Sequence, residues 1–400
     1  MPTGKTLYWL LAAATLYLIA WNVGSGWLYV LTVLLTAFPL ASLILSRINT
    51  RRIEPRLEVP PSTTDGEMLP ATLEITNPSY WPRFFLDLDC RYAGSRQRLF
   101  LPLLGPRESR RISSVFDQPR RGLYSGADVK ISSAAPVGLA RSRRRLETNS
   151  PIVVYPRRHQ LAGDWASGYK NTGYMVASAL ATRNTASDYL GVRDYRSGDN
   201  PRSIHWRTSA RTGSLEVIEY ARQSAMTPVF LVDTFFEADR GKDMASTFET
   251  AVTIAASLAQ REAIHKRRFA IGFSPEDAAA RGLSHSAEES MFWLAGVNAT
   301  SDAPMDLQSK ALPWPEITPV LLLTSHPAYA RLGQSTILED FPHSIIIMLD
   351  GREFEKGARP RTPLMDDTAL DQLAERLDTM GAEFLLVTSP DEVPLCLNDL

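Results

Sequence analysis

The chain has 400 residues, 44% of them hydrophobic, with a formal net charge of −1. That length holds two or three domains, and the near-neutral balance gives no electrostatic reason to expect nucleic acid as a partner. The two cysteines, Cys90 and Cys396, stand far apart with no CxxC or Cys/His spacing, which argues against a disulfide framework or structural zinc and suits a reducing compartment.

From Leu7 to Ser46 there is no charged residue, about twice the ~20 apolar residues that one membrane-spanning helix needs. Asn22-Val23-Gly24-Ser25-Gly26 interrupts the run with poor helix formers, so residues 1–47 read as two transmembrane helices joined by a very short turn. Tyr8 and Trp9 mark one interface, and Trp21, Trp27 and Tyr29 the other. Lys5 precedes the first helix and Arg47, Arg51, Arg52 and Arg56 follow the second, which puts both flanks in the cytoplasm. A cleaved signal peptide over residues 5–21 is the rival reading, but the second segment would then act as a stop-transfer helix.

Residues 48–156 read as a small β-sandwich. Ala71 to Pro78, Phe84 to Tyr92 and Asp128 to Ile131 alternate apolar and polar residues, and Gly94, Gly105-Pro106, Gly122 and Gly126 punctuate the runs. A basic run at Arg141, Arg143, Arg144 and Arg145 is either a contact for anionic head groups or a solvated strand end.

Residues 157–220 hold the densest chemistry, in Asp188 to Gly213. Ser197 to Pro201 is turn chemistry, and the spacing predicts a short helix capped by Asp199 or Asn200 and closed by Gly213. On that helix Arg202 and Trp206 would share one face, with Ile204, Arg207 and Arg211 on another. Arg193, Arg196, Arg202, Arg207 and Arg211, with Asp194 and Asp199 among them, could lock the segment to another surface through bidentate pairs. The same residues could instead form an anion pocket at a helix N-terminus. His205 is either a general base or a packed, hydrogen-bonded histidine; no nucleophile or metal partner accompanies it in the sequence.

Residues 221–400 alternate short continuous apolar runs with helical patterns. The runs are Pro228 to Asp233, Phe269 to Phe273, Val320 to Leu323, Ile345 to Leu349 and Phe384 to Val387; the helices include Met244 to Ala263 and Asp366 to Met380. Such a pattern predicts a mainly parallel sheet covered on both faces, a Rossmann-like α/β domain with Asp233 at a strand's carboxyl end, where ligands usually bind. No P-loop is present, since Gly4-Lys5-Thr6 lacks the leading glycine, and neither a nucleophile elbow nor HExxH occurs.

Arg193-Asp194-Tyr195-Arg196-Ser197-Gly198-Asp199-Asn200-Pro201-Arg202-Ser203-Ile204-His205-Trp206, continuing through Ser209 to Leu215, resembles the family known as DUF58, membrane proteins of bacteria and archaea. Arg121-Gly122-Leu123-Tyr124, Pro136-Val137-Gly138-Leu139 and Val154-Tyr155-Pro156 support it, whereas Ala135 and Val137 stand where the family has Asp and Phe. The resemblance implies a C-terminal domain similar to a von Willebrand factor A domain, which binds Mg²⁺ through an Asp-x-Ser-x-Ser loop. The matching residues here are Asp233-Thr234-Phe235-Phe236-Glu237; Phe235 cannot ligate a metal, so no cofactor is expected, with Mg²⁺ held by Asp233, Thr234 and Glu237 as the weaker alternative. It also implies partners: a MoxR-type AAA+ ATPase and transglutaminase-like membrane proteins. The expectation is therefore a membrane-anchored, non-enzymatic adaptor or assembly factor, with a phosphate-ligand-binding protein or enzyme as the alternative.

Overall fold

The first two helices need no polar face, because almost every residue between their ends is apolar. In the computed structural model, α1 spans Gly4–Val23 and α2 spans Gly26–Thr50, and both are long and apolar enough to cross a membrane. The turn between them is Gly24–Ser25, and Gly24 takes a left-handed φ of 67° that favours glycine. α2 continues past residue 47 and carries Pro39 within it. The structure describes residues 4–134, 138–161, 189–195, 204–220, 227–242, 245–314, 316–354 and 364–399. The turn at Ala135 and Val137 lies outside them. The chain divides into two compact units, residues 1–157 with 292–297 and residues 158–291 with 298–400.

In the first unit, eight strands follow the helices: β1 (Glu54–Glu58), β2 (Ser62–Thr64), β3 (Leu69–Thr76), β4 (Arg83–Tyr92), β5 (Ser95–Leu104), β6 (Ser109–Phe116), β7 (Gly122–Ser133) and β8 (Ser142–Tyr155). They form an antiparallel sheet β1-β3-β6 and a five-stranded sheet β2-β8-β7-β4-β5, in which only β2–β8 is parallel. Alternation decides which residues meet between them: Leu73 and Ile75 from one sheet pack with Leu86, Leu88, Val129, Ile131 and Val154 from the other, all nearly solvent-free. This is a sandwich core. Gly126 sits where the β7–β8 register shifts, and a Cβ there would lie 1.8 Å from the Thr148 carbonyl oxygen.

α2 is latched to this sandwich. The Asn49 amide accepts from the Phe84 N–H at 2.8 Å and donates to the Phe84 carbonyl and to Ser133 Oγ (2.6 Å), acting as a one-residue strand against β4. Thr50 and Ser142 hydroxyls pair at 2.9 Å. The buried Arg83 guanidinium donates to the Ile48 carbonyl, which also accepts from Arg51 N at 3.2 Å, placing a cation at the helix C-terminus. Burial, with Arg52 nearby, lowers the Arg83 pKa. The basic run begins β8, where Arg145 pairs with Asp128 (2.8 Å) while Arg143 and Arg144 are exposed.

In the second unit, β9 (Tyr189–Asp194) and β10 (Glu216–Tyr220) pair antiparallel, with α3 (Trp206–Thr212) between them in the chain. A separate five-stranded sheet follows: β11 (Thr227–Val232), β12 (Ala270–Gly272), β13 (Ile317–Thr324), β14 (Ile345–Leu349) and β15 (Glu383–Val387). All neighbours are parallel, and the spatial order β12-β11-β13-β14-β15 is the doubly wound 2-1-3-4-5 arrangement. Val229, Leu231, Leu321, Leu323, Ile346 and Met348 form one core with Leu370, Leu373 and Leu377 of the helix Asp367–Thr379. Their neighbours Phe230, Val232, Leu322, Ile345 and Ile347 are equally buried, which is why these strands read as unbroken apolar runs. The helix α4 (Thr247–Ile264) packs on β11 and β13 and is capped by Ser246, whose hydroxyl accepts from Glu249 N at 3.2 Å.

Candidate functional site

The candidates that the sequence offers fall at two places in the second unit: the segment around α3, and the carboxyl edge of the parallel sheet.

The helix of the arginine-rich segment starts later than turn chemistry predicts. His205, not Asp199 or Asn200, is the N-cap, with its ring Nδ1 accepting from Thr208 N at 3.2 Å and 2.6 Å from Thr208 Oγ1. Ile204 does not join the helix because it bridges Val217 of β10, so it shares no helical face with Arg207 and Arg211. Gly213 closes the helix at φ 79°, as expected for a left-handed C-cap. Ser209 is the buried tie: its hydroxyl accepts from Glu216 N at 2.9 Å and donates to the His205 carbonyl at 3.1 Å. His205 N donates to the Glu216 carbonyl at 2.8 Å, so strand and helix hold one another.

That arrangement leaves α3 presenting Trp206, Arg207, Ala210 and Arg211 to solvent, with Leu215 beside them in sequence; Trp206 is 67% exposed. An exposed tryptophan beside exposed arginines is the composition of a binding hot spot. Arg193 and Asp194 are placed by backbone only, opposite Val217 and Glu216. Arg196, Asp199 and Arg202 lie outside the described residues. His205 is committed to capping.

At the sheet's carboxyl edge, Asp233 follows β11 and is 8% exposed. Tyr329 Oη donates to its Oδ2 at 2.7 Å, and Phe235 N donates to its Oδ1 at 3.0 Å. Tyr329 is fixed in turn by Met305 N (3.0 Å). Burial pushes the Asp233 carboxyl up to about 6 against the lowering effect of these donors, and burial beside Asp233 raises the Tyr329 phenol. This edge lies at the β11–β13 switch point of the sheet.

The loop after Asp233 folds inward on apolar rather than hydroxyl chemistry. Phe235 is buried edge-on to His326, ring centroids 5.1 Å apart, while Glu237 is exposed. Asp239 accepts from Phe248 N (3.0 Å) and Thr247 Oγ1 (3.2 Å), and burial raises its pKa. Arg240, fully enclosed, donates to the Glu237 carbonyl at 2.6 Å. Burial and the Arg240 charge lower the His326 pKa, keeping a neutral ring whose Nδ1 accepts from Ala328 N (3.2 Å). Along the same edge Asp350 follows β14, and Arg352 clasps its two oxygens at 2.9 Å and 2.6 Å and reaches Asp367 at 2.6 Å.

A hard divalent cation takes six or more oxygens. Here Asp233 already accepts from Tyr329 and the backbone, Phe235 offers none, and among the described residues no three acidic, histidine or cysteine side chains converge. These residues do not fit a magnesium site. Sequence reading found Asp233 but missed Tyr329, His326 and the Asp350–Arg352 pair. A legible signal existed for Asp350, because it ends an apolar strand just as Asp233 does.

The family described as "Protein of unknown function DUF58" matches residues 191–281, from within β9 through α3, β10, β11, α4 and β12 to the end of the helix Pro275–Arg281. The chain is also similar to "Uncharacterized protein YeaD" of Bacillus subtilis (strain 168), 22% identical over 203 residues, covering 48% of each chain. The chain thus spans about half the length of this curated relative. A solved GH20 exo-β-N-acetylglucosaminidase from Vibrio harveyi covers 84% of this chain and 57% of its own, at 8% identity and a TM-score of 0.17, and carries no argument.

Proposed function

We propose that this chain is a membrane-anchored, non-enzymatic adaptor whose docking surface is the exposed face of α3. The observation that carries the proposal is the contrast between the two sites. Trp206, Arg207 and Arg211 are exposed on a helix fixed by Ser209 and His205, whereas the carboxylates of the sheet edge are spent on local hydrogen bonds. Thr208 Oγ1 lies 2.6 Å from His205 Nδ1, but that nitrogen is held at the helix start by accepting from Thr208 N.

In this reading α1 and α2 are two spans of a bacterial inner membrane, with Lys5 and Arg47, Arg51, Arg52 and Arg56 holding both flanks in the cytoplasm. The second unit is a von Willebrand factor A-like domain; the 2-1-3-4-5 parallel order and the position of Asp233 support that likeness. Its metal loop has become a structural hydrogen-bonded pillar that needs no Mg²⁺. The partner is a MoxR-type AAA+ ATPase, as the DUF58 resemblance implies. The test is co-purification of the full-length chain in detergent with a purified MoxR-type ATPase from the same organism. Retention of the ATPase by wild type and its loss from Trp206→Ala/Arg207→Ala support the reading, and equal retention by both sinks it.

A second reading, a protein that binds a phosphate-bearing compound, is favoured by a different observation. A cleft of about 410 Å³ in the second unit is lined by Arg158, His159, Arg261 and His265. Calorimetry of the full-length protein with inorganic phosphate and nucleotides discriminates, since the adaptor reading expects no saturable heat.

A further inference from the structure

The edge of the β-sandwich beside α2 departs from the rule that strands alternate. Phe84 and Phe85 are consecutive, yet both side chains are exposed, because Phe85 adopts a left-handed φ of 47°. That conformation is costly for a bulky residue and persists only where the surrounding structure imposes it. Its result is an apolar patch. Leu103, paired opposite Phe84, is exposed, Phe100 stacks on Phe85 with centroids 6.3 Å apart, and Trp81 is 74% exposed in the preceding turn. Between this patch and the end of α2 lies an apolar groove of about 850 Å³, lined by Leu45 and Ile48 of the helix with Trp81, Pro82, Phe84 and Phe85.

Isolated exposed apolar residues are ordinary, but a contiguous patch with a charged rim marks an interaction surface. Two observations say which. The patch continues the apolar face that α2 exposes through Phe38, Leu40, Ile44, Leu45 and Ile48, and the Asn49 latch fixes the two together. The exposed Arg47, Arg51 and Arg52 surround the helix exit, the placement that complements anionic phosphates at a membrane surface. We propose that the Trp81–Phe85 edge of the sandwich inserts into the head-group-to-acyl boundary of the leaflet from which α2 emerges, with a lipid acyl chain in the groove. The β-domain is then a monotopic element, immersed along one edge. This rests on the reading of α1 and α2 as membrane spans.

The test uses the full-length chain in vesicles of phosphatidylcholine and phosphatidylglycerol. Cys396→Ser leaves Cys90, which is buried and whose thiol is pushed up to about 12, inert to a maleimide. An environment-sensitive fluorophore is then placed by Trp81→Cys, Leu103→Cys, Val33→Cys in α2, or Met68→Cys, an exposed site of the sandwich outside the patch. Probes at 81 and 103 should lose about half their emission to lipids spin-labelled near the head group and resist aqueous iodide, with 68 showing the converse. Iodide quenching at 81 and 103 equal to that at 68, with 33 still quenched by deep spin labels, overturns the insertion and leaves the spans intact. Failure at 33 as well overturns both.

Discussion

Asp233→Asn isolates what the buried carboxylate does to the fold. In the folded chain the Asp233 pKa lies at about 6, raised from 3.8 chiefly by burial, so the folded state holds its proton longer than the unfolded chain does. The associated stability is therefore fully present below pH ~4 and is lost as pH rises through ~6. A difference of about two units corresponds to ~3 kcal/mol, an order-of-magnitude figure that needs little solvent discount because the residue is almost wholly enclosed. Full-length protein in detergent is unfolded in urea at a series of pH values, with pulsed hydrogen exchange read on peptides of β11 so that only this unit reports. Between pH 4 and 7.5 wild type should lose ~3 kcal/mol more than Asp233→Asn, or about 1 M in urea midpoint. Tyr329→Phe removes the hydrogen bond that lowers this pKa, so the loss should extend to higher pH. Parallel pH curves for wild type and Asp233→Asn would refute the assignment.

Other substitutions probe the rest of the frame. Asn49→Ala removes the groups bonded to the Phe84 backbone and Ser133 and leaves a partly buried N–H unpaired, so about 2–4 kcal/mol should be lost, seen as faster proteolysis at the junction of α2 and β4. Gly126→Ala drives a Cβ into the Thr148 carbonyl and should cost more than ~3 kcal/mol, read as failure of the sandwich strands to protect their amides. Ser209→Ala should loosen α3 from β10 by ~1–2 kcal/mol, measured as amide exchange confined to residues 204–220.

Much of this architecture is written in hydrophobic period. The strands β11, β13 and β14 follow from continuous apolar runs that are buried, β4 from alternation, the helix Asp367–Thr379 from its apolar period, and α1 and α2 from a run long and apolar enough to cross a membrane. Three features were illegible for physical reasons. The start of α3 depends on His205 acting as a cap, a role that the stronger capping residues Asp199 and Asn200 outweigh in any local reading. The Asn49 latch pairs residues thirty-five apart in sequence, and Tyr329 meets Asp233 across ninety-six, so neither leaves a local trace. Degeneracy of the Asp233 loop was legible, since Phe235 carries no oxygen.

Under the proposed function, α3 of the segment that the DUF58 family matches is a docking surface. The most direct measurement is a binding titration of the full-length chain in lipid nanodiscs against a purified MoxR-type ATPase. Trp206→Ala and Arg211→Ala should each weaken binding about tenfold or more while Asp233→Asn leaves it unchanged. Equal affinity across wild type and both α3 variants, or no binding by wild type, would contradict it.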